Sequence, residues 1–200
     1  ALLLGILTQV PHATGSGVDI DEGAITACTI NAEKALSPAQ LSNFSAVRAD
    51  FTMLAAAEVR SQLDPDGYDV IVCNPPYRST AQQHAYNSAS GEHGGYAEHE
   101  KTLVAGETGM EMYEGIAASL AQDMAQAQAR LLAPPGPLMK LDGSLIFQVE
   151  AGSFGRLGGV AARVASAVQK ASQSKLKSLR IIRDDKQLER GILLKWSWCD

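Results

Sequence analysis

Residues 67–77 read GYDVIVCNPPY, and this stretch limits the fold more than any other. Val70, Ile71, Val72 and Cys73 form an unbroken apolar run. Such a run suits a strand buried on both faces, as in parallel sheets. It stops at Asn74, Pro75 and Pro76. Proline has no N–H and a fixed φ, and the residue ahead of it is pushed towards extended backbone. The strand therefore ends at Asn74, on a tract with carbonyl acceptors and no donor of its own until Tyr77. Parallel strands need crossover connections, usually helices, so the chain should be α/β.

The rest of the sequence keeps that alternation. Leu2 to Leu7 reads as an apolar helix. Residues 13–20 (ATGSGVDI) give a short strand ending at Asp19. Residues 21–36 read as a helix capped by Asp21. Residues 44–50 (FSAVRAD) give a second strand ending at Asp50, residues 58–63 a short helix, and Gly67 to Cys73 the third strand. Arg78 to Lys101 is polar throughout and reads as one long loop. From Met112 to Leu132, apolar residues Tyr113, Ile116, Leu120, Met124, Ala127 and Leu131 recur at helical spacing. Residues 133–138 (APPGPL) break that helix. Residues 143–150 (GSLIFQVE) read as a strand and Leu157 to Lys170 as a helix. Residues 177–183 and 191–196, joined by the polar DDKQLE, read as an antiparallel pair. No repeat or linker divides the chain, so one domain over 1–200 is expected.

Charge narrows the partners. The net charge is 17 − 22 = −5, with basic residues only weakly clustered between Lys170 and Arg190. That disfavours nucleic acid, whose binders carry a basic face. Cys28, Cys73 and Cys199 are odd in number and far apart, which points to a reducing compartment. His84, His93 and His99 lack metal-ligand spacing, so no metal is expected. No apolar run reaches membrane-spanning length, so no membrane partner is expected, and no signal peptide is visible. The sequence opens on ALLLGILTQ, a helix already in progress, which suggests a chain lacking its N-terminal part.

Ligands in open α/β sheets bind beyond the carboxyl ends of the strands. Asp19, Asp50 and Asn74 stand at three such ends. Asp19 can accept both hydroxyls of a ribose, or it can simply cap a helix. Asp50 can accept from an adenine amino group with Phe51 against the ring, or it too can be a cap. Asn74, with the carbonyls of Asn74 and Pro75, makes an acceptor cluster that suits an incoming NH2 group. Holding both hydrogens turns the nitrogen lone pair towards an electrophile. Pro76 and Tyr77 can wall such a pocket, and the Tyr77 ring can face a positive charge. The plainer alternative is a rigid turn after a strand.

DVIVCNPPY resembles the Asn/Asp-Pro-Pro-Tyr signature of S-adenosylmethionine-dependent methyltransferases that modify NH2 groups. Residues 98–117 (EHEKTLVAGETGMEMYEGIA) resemble the segment that follows it in HemK/PrmC-type glutamine methyltransferases, with His99, Glu100, Gly106, Gly109 and Tyr113 at the matching places. Residues 143–155 resemble that family's fifth strand, and residues 183–196 its closing hairpin. The resemblance implies a Rossmann-like class I methyltransferase sandwich with a mainly parallel sheet and a C-terminal antiparallel hairpin. It implies S-adenosyl-L-methionine as cofactor, with its ribose on Asp19 and its adenine on Asp50 and Phe51, beside Asn74. It implies a catalytic and substrate-binding tract of Asn74, Pro75, Pro76 and Tyr77. The implied substrate is the glutamine amide of the Gly-Gly-Gln motif in peptide-chain release factors. The implied compartment is the cytoplasm or an organelle, mitochondrion or plastid.

The sequence departs from that pattern in places. The family's first strand and Gly-rich loop would precede Ala1, and TGSG at Thr14 to Gly17 does not replace them, because it leads into the second strand. The family's helical N-terminal domain is absent as well, and Lys101 stands where the family has proline. Residues 1–200 alone should therefore fold poorly and bind cofactor weakly. Two alternatives stay open: an amino methyltransferase acting on adenine or another base in nucleic acid, and a non-catalytic remnant of the fold.

Overall fold

The computed structural model describes residues 1–90, 104–149, 159–172 and 175–197. Helix α1 (Leu2–Gln9) leads into β1 (Gly15–Asp19), α2 (Glu22–Ala35), the single turn α3 (Pro38–Leu41) and β2 (Phe44–Arg48). A 3-10 turn (Phe51–Met53) and α4 (Ala57–Arg60) follow, then β3 (Tyr68–Cys73), β4 (Arg78–Ser79) and α5 (Thr80–Ser90). Beyond residue 103 come β5 (Val104–Gly106), α6 (Glu111–Ala129), β6 (Met139–Gln148), α7 (Gly159–Ser172), β7 (Lys175–Arg183) and β8 (Glu189–Ser197).

The class is mixed α/β, with parallel and antiparallel pairing. β1 and β2 pair in parallel, Asp19 lying opposite Arg48. β3 pairs in parallel with β6, and β6 continues through β8 to β7, both antiparallel. The closing hairpin thus forms where the sequence places it. β4 and β5 make a third, two-stranded parallel sheet.

The long loop expected over Arg78 to Lys101 is corrected in its first half. Arg78–Ser79 is a strand and Thr80–Ser90 a helix. The cause is local: Ser79 and Gln82 cap the helix start reciprocally. Gln82 N–H donates to Ser79 Oγ at 3.2 Å, and Ser79 N–H donates to Gln82 Oε1 at 2.8 Å. The same Ser-x-x-Gln device at Ser37 and Gln40 starts α3. The expected helix from Met112 to Leu132 runs from Glu111 to Ala129, because Leu131 and Leu132 take positive φ of 54° and 58°. The strand expected from Gly143 begins earlier, at Met139. The expected start of α7 at Leu157 lies outside the described residues.

Packing fixes the directions of the strands. Tyr113, fully buried near the start of α6, meets Phe147 edge to face with ring centroids 5.0 Å apart. Its Oη donates to the Gln148 carbonyl at 3.0 Å, at the end of β6. Nearly three turns later Asp123 accepts the Leu138 N–H at 2.5 Å, just before β6 begins. α6 therefore runs antiparallel to β6. The chain leaving β2 descends the same helix. A Cβ on Gly115 would lie 2.7 Å from Thr52, Ala55 N–H donates to Ser119 Oγ at 3.0 Å, and Arg60 meets Asp123. β2 and β6 thus end on one side, and β1 and β3 end there with them.

The main core lies between this sheet face and α6 and α7, around Phe147, Leu145, Ile192 and Leu194. A second, small core joins Leu7, Ala32 and Leu36 under α1 and α2. Among the described residues, β1 has only β2 as a strand neighbour, and β3 only β6. The two sheets meet through side chains at this interval, Tyr68 Oη donating to Ser16 Oγ at 2.5 Å. Val70, in the apolar run, is 51% exposed there. The sheet face away from α6 holds an open cavity of about 460 Å³, lined by Leu2, Val72, Ile146, Gln148 and Ile182 among others.

Candidate active site

Asp19 closes β1 and is exposed. Its Oδ1 accepts the Asp21 N–H at 2.9 Å. Capping of α2 falls to Asp21, which accepts from Ala24 N–H at 2.8 Å. The nearby cation Arg48 turns to Glu22 at 3.1 Å, not to Asp19. Among the described residues, Asp19 is therefore neither the helix cap nor an ion-pair partner.

Asp50 does cap, as its plainer role required. Its Oδ1 accepts both Thr52 N–H, at 2.8 Å, and Thr52 Oγ1, at 2.7 Å. Phe51 is half-buried and packs on the main core. The Ala49 N–H donates to the Asp19 carbonyl at 2.9 Å, so Asp50, expected at the end of β2 but two residues past its end at Arg48, still stands beside the end of β1.

Asn74 lies across the unpaired interval, one residue past β3. It is exposed, and no described residue donates to its side chain or to the carbonyls of Asn74 and Pro75. Pro75 is buried, while Pro76 and Tyr77 are half-buried. Tyr77 packs on the main core. The structure thus brings Asp19, Asp50 and Asn74 to one rim, with Asp19 and Asp50 adjacent and Asn74 apart from both.

Of the residues in the following segment, His99 and Glu100 lie outside the described ones. Gly106 and Gly109 take positive φ of 117° and 78°. Tyr113 is a core residue and does not line the rim. Two groups had no clear signal in the sequence. Glu111 Oε1 accepts the Thr108 N–H at 2.8 Å, beside the Gly106 turn. Burial works to raise its pKa, but hydrogen bonds from Thr108 and Met110 outweigh that and hold it below the ordinary carboxylate range. Arg60 and Asp123 form an ion pair at 3.4 Å, both sealed in the interior.

Cys73, at the end of β3, titrates far from its usual range: desolvation pushes the thiol up to about 12. At pH 8 only about one molecule in ten thousand then carries the reactive thiolate. The Cys73 peptide should stay unmodified by a maleimide at pH 8 in the folded protein and be modified in denaturant. Ready modification of folded protein, read by peptide mass spectrometry, contradicts the raised thiol pKa.

Among the described residues, no group of three or more His, Cys, Asp or Glu side chains could hold a metal, and no helix is long and apolar enough to cross a membrane. No protein-family model matches the chain. No curated protein matches it either. A solved structure from Bordetella parapertussis, described as a possible exported protein, is similar over 90% of this chain, at 12% identity and a TM-score of 0.48. The chain covers 52% of that structure's length.

Proposed function

We propose that this chain is the catalytic part of an S-adenosylmethionine-dependent methyltransferase acting on the glutamine amide of peptide-chain release factors. The observation that carries the reading is Asn74, exposed just past a strand end, its carboxamide and the Asn74 and Pro75 carbonyls taking no donor among the described residues. Asp19 and Asp50 on the same rim fit an adenosine: Asp19 is exposed and pairs with no cation among the described residues, and Phe51 offers an aromatic neighbour to Asp50. Asp50 has one oxygen committed to Thr52, so its other oxygen is the one available to an adenine amino group.

When bound, S-adenosylmethionine supplies an electrophilic methyl group. The chain supplies orientation. An amide nitrogen is a poor nucleophile because its lone pair is delocalised. Asn74 Oδ1 and the neighbouring carbonyls hold its two hydrogens, which points the lone pair out of the amide plane. The nitrogen would take the methyl group as that group's bond to the sulfonium sulfur breaks, leaving S-adenosylhomocysteine, and one of the held hydrogens would leave as a proton to solvent. Tyr77 walls the pocket.

The same reading accounts for the edges of β1 and β3 that no other described strand pairs. A Rossmann-like methyltransferase sheet has one more parallel strand between them, ending in a Gly-rich loop ahead of α1. Under this reading the protein in its native length binds S-adenosylmethionine at least about tenfold more tightly than residues 1–200, some 1.4 kcal/mol. Equal affinities, measured by calorimetry, contradict the added strand.

The substrate is tested by incubating the native-length protein with methyl-labelled S-adenosylmethionine and either a release factor or duplex DNA. Label in the release factor is expected. Label in DNA alone overturns the protein-glutamine reading in favour of an amino methyltransferase acting on bases.

A further inference from the structure

We propose that the turn from Gly106 to Glu111 is a positioning element for the Asn74–Tyr77 tract, setting where Tyr77 stands against the amide substrate. The inference rests on the methyltransferase reading above, but its geometry stands apart from it.

Gly109 lies backbone to backbone on the tract. A Cβ there would sit 2.5 Å from the Tyr77 carbonyl oxygen and 3.3 Å from the Ser79 nitrogen. Only glycine allows that approach, and its φ of 78° is one that L side chains rarely adopt. Downstream, the chain is tied to the same turn twice. Arg78 and Ser79 pair with Val104 and Gly106 in the β4–β5 sheet, and Thr80 Oγ1 donates to the Gly106 carbonyl at 3.0 Å. Tyr77 is therefore held from one side by β3 and from the other by this turn.

Glu111 shapes the turn from beneath. A Cβ on Gly106 would lie 2.7 Å from Glu111 Cδ, so the carboxyl fills the space a side chain would take. Glu111 Oε1 accepts the Thr108 N–H, and Thr108 Oγ1 accepts the Met110 N–H at 3.1 Å. Glu111 Oε2 is buried without a hydrogen-bond partner. At the turn Glu111 acts through geometry. Its contribution is the Oε1 acceptor and its bulk. Glu111 begins α6, whose Tyr113 is locked to Phe147 and Gln148. The chain of support runs from the end of β6, through α6 and Glu111, to the Gly109 contact and so to Tyr77.

The test uses Gly109→Ala, Glu111→Ala and Glu111→Gln in the native-length protein, with methyl transfer to the release factor read as kcat, KM and cofactor affinity. Gly109→Ala and Glu111→Ala should lower kcat about 10- to 100-fold, the scale of a misplacement near 1 Å, with cofactor affinity unchanged. Glu111→Gln keeps the acceptor and the volume and should restore kcat. Equal loss in Glu111→Gln and Glu111→Ala, or a loss confined to cofactor affinity, overturns the proposal. A second readout separates it from the methyltransferase reading. If the unaltered protein transfers no methyl group, that reading fails, and hydrogen exchange decides the positioning claim. Gly109→Ala should then speed exchange at the Tyr77 and Arg78 amides while leaving β6 protected. Unchanged exchange there overturns it.

Discussion

Asn74→Ala should lower methyl transfer by about 100-fold or more while leaving S-adenosylmethionine affinity nearly intact. The carboxamide is exposed, takes no donor from the described residues and follows β3 directly. Removing it leaves no cavity and frees no buried partner, so stability should barely change. What is lost is an acceptor that holds one amide hydrogen during transfer, together with the orientation it imposes. Asn74→Asp tests the same point from the other side. It keeps acceptors at that place but adds a charge, and should retain more activity than Asn74→Ala. The measurements are kcat with the release factor and cofactor binding by calorimetry. A loss that lies wholly in cofactor affinity assigns Asn74 to the cofactor and removes it from the amide.

Arg60→Ala should be the most destabilising single change, by about 3–5 kcal/mol, because it strands a buried carboxylate. The Arg60 and Asp123 side chains are 6% and 2% exposed. Asp123 Oδ2 is occupied by the Leu138 N–H, and burial already pushes its carboxyl above the ordinary range. Arg60 also donates to the carbonyls of Asp64, Pro65 and Gly136, at 2.7, 3.2 and 2.8 Å. These contacts bind the chain leaving β2 and the entries to β3 and β6 to a single guanidinium. Asp123→Asn should cost less than Arg60→Ala, since the amide oxygen can still accept from Leu138. Chemical denaturation measures both. A loss for Arg60→Ala below about 1 kcal/mol, the range of exposed pairs, contradicts the account.

The strands were legible where the local pattern was sufficient. The run from Val70 to Cys73 and the two stretches of the closing hairpin form strands that the apolar pattern alone indicates. The helix Thr80–Ser90 was hidden because it carries few apolar residues, its start being marked only by Ser79 and Gln82. The Arg60–Asp123 pair joins residues far apart in sequence, and no periodicity announces such a contact. At the site, the places of Asp19 and Asn74 at strand ends were legible from where the apolar runs stop, whereas the strand expected to end at Asp50 stops at Arg48 because Asp50 turns to cap the 3-10 turn. The cap at Asp21 was legible too, from its place just ahead of the acidic first turn of α2. Glu111 was invisible, because its work is done on a glycine turn that the sequence marks only as Gly106 and Gly109.

The most direct test of the central claim is to locate the transferred methyl group. The native-length protein is incubated with a release factor and S-adenosylmethionine, and the product is fragmented for mass spectrometry. The account predicts a methyl group on the side-chain nitrogen of the glutamine in the Gly-Gly-Gln motif, lost when that glutamine is replaced. A methyl group on any other residue, or a release factor that is never methylated, contradicts it.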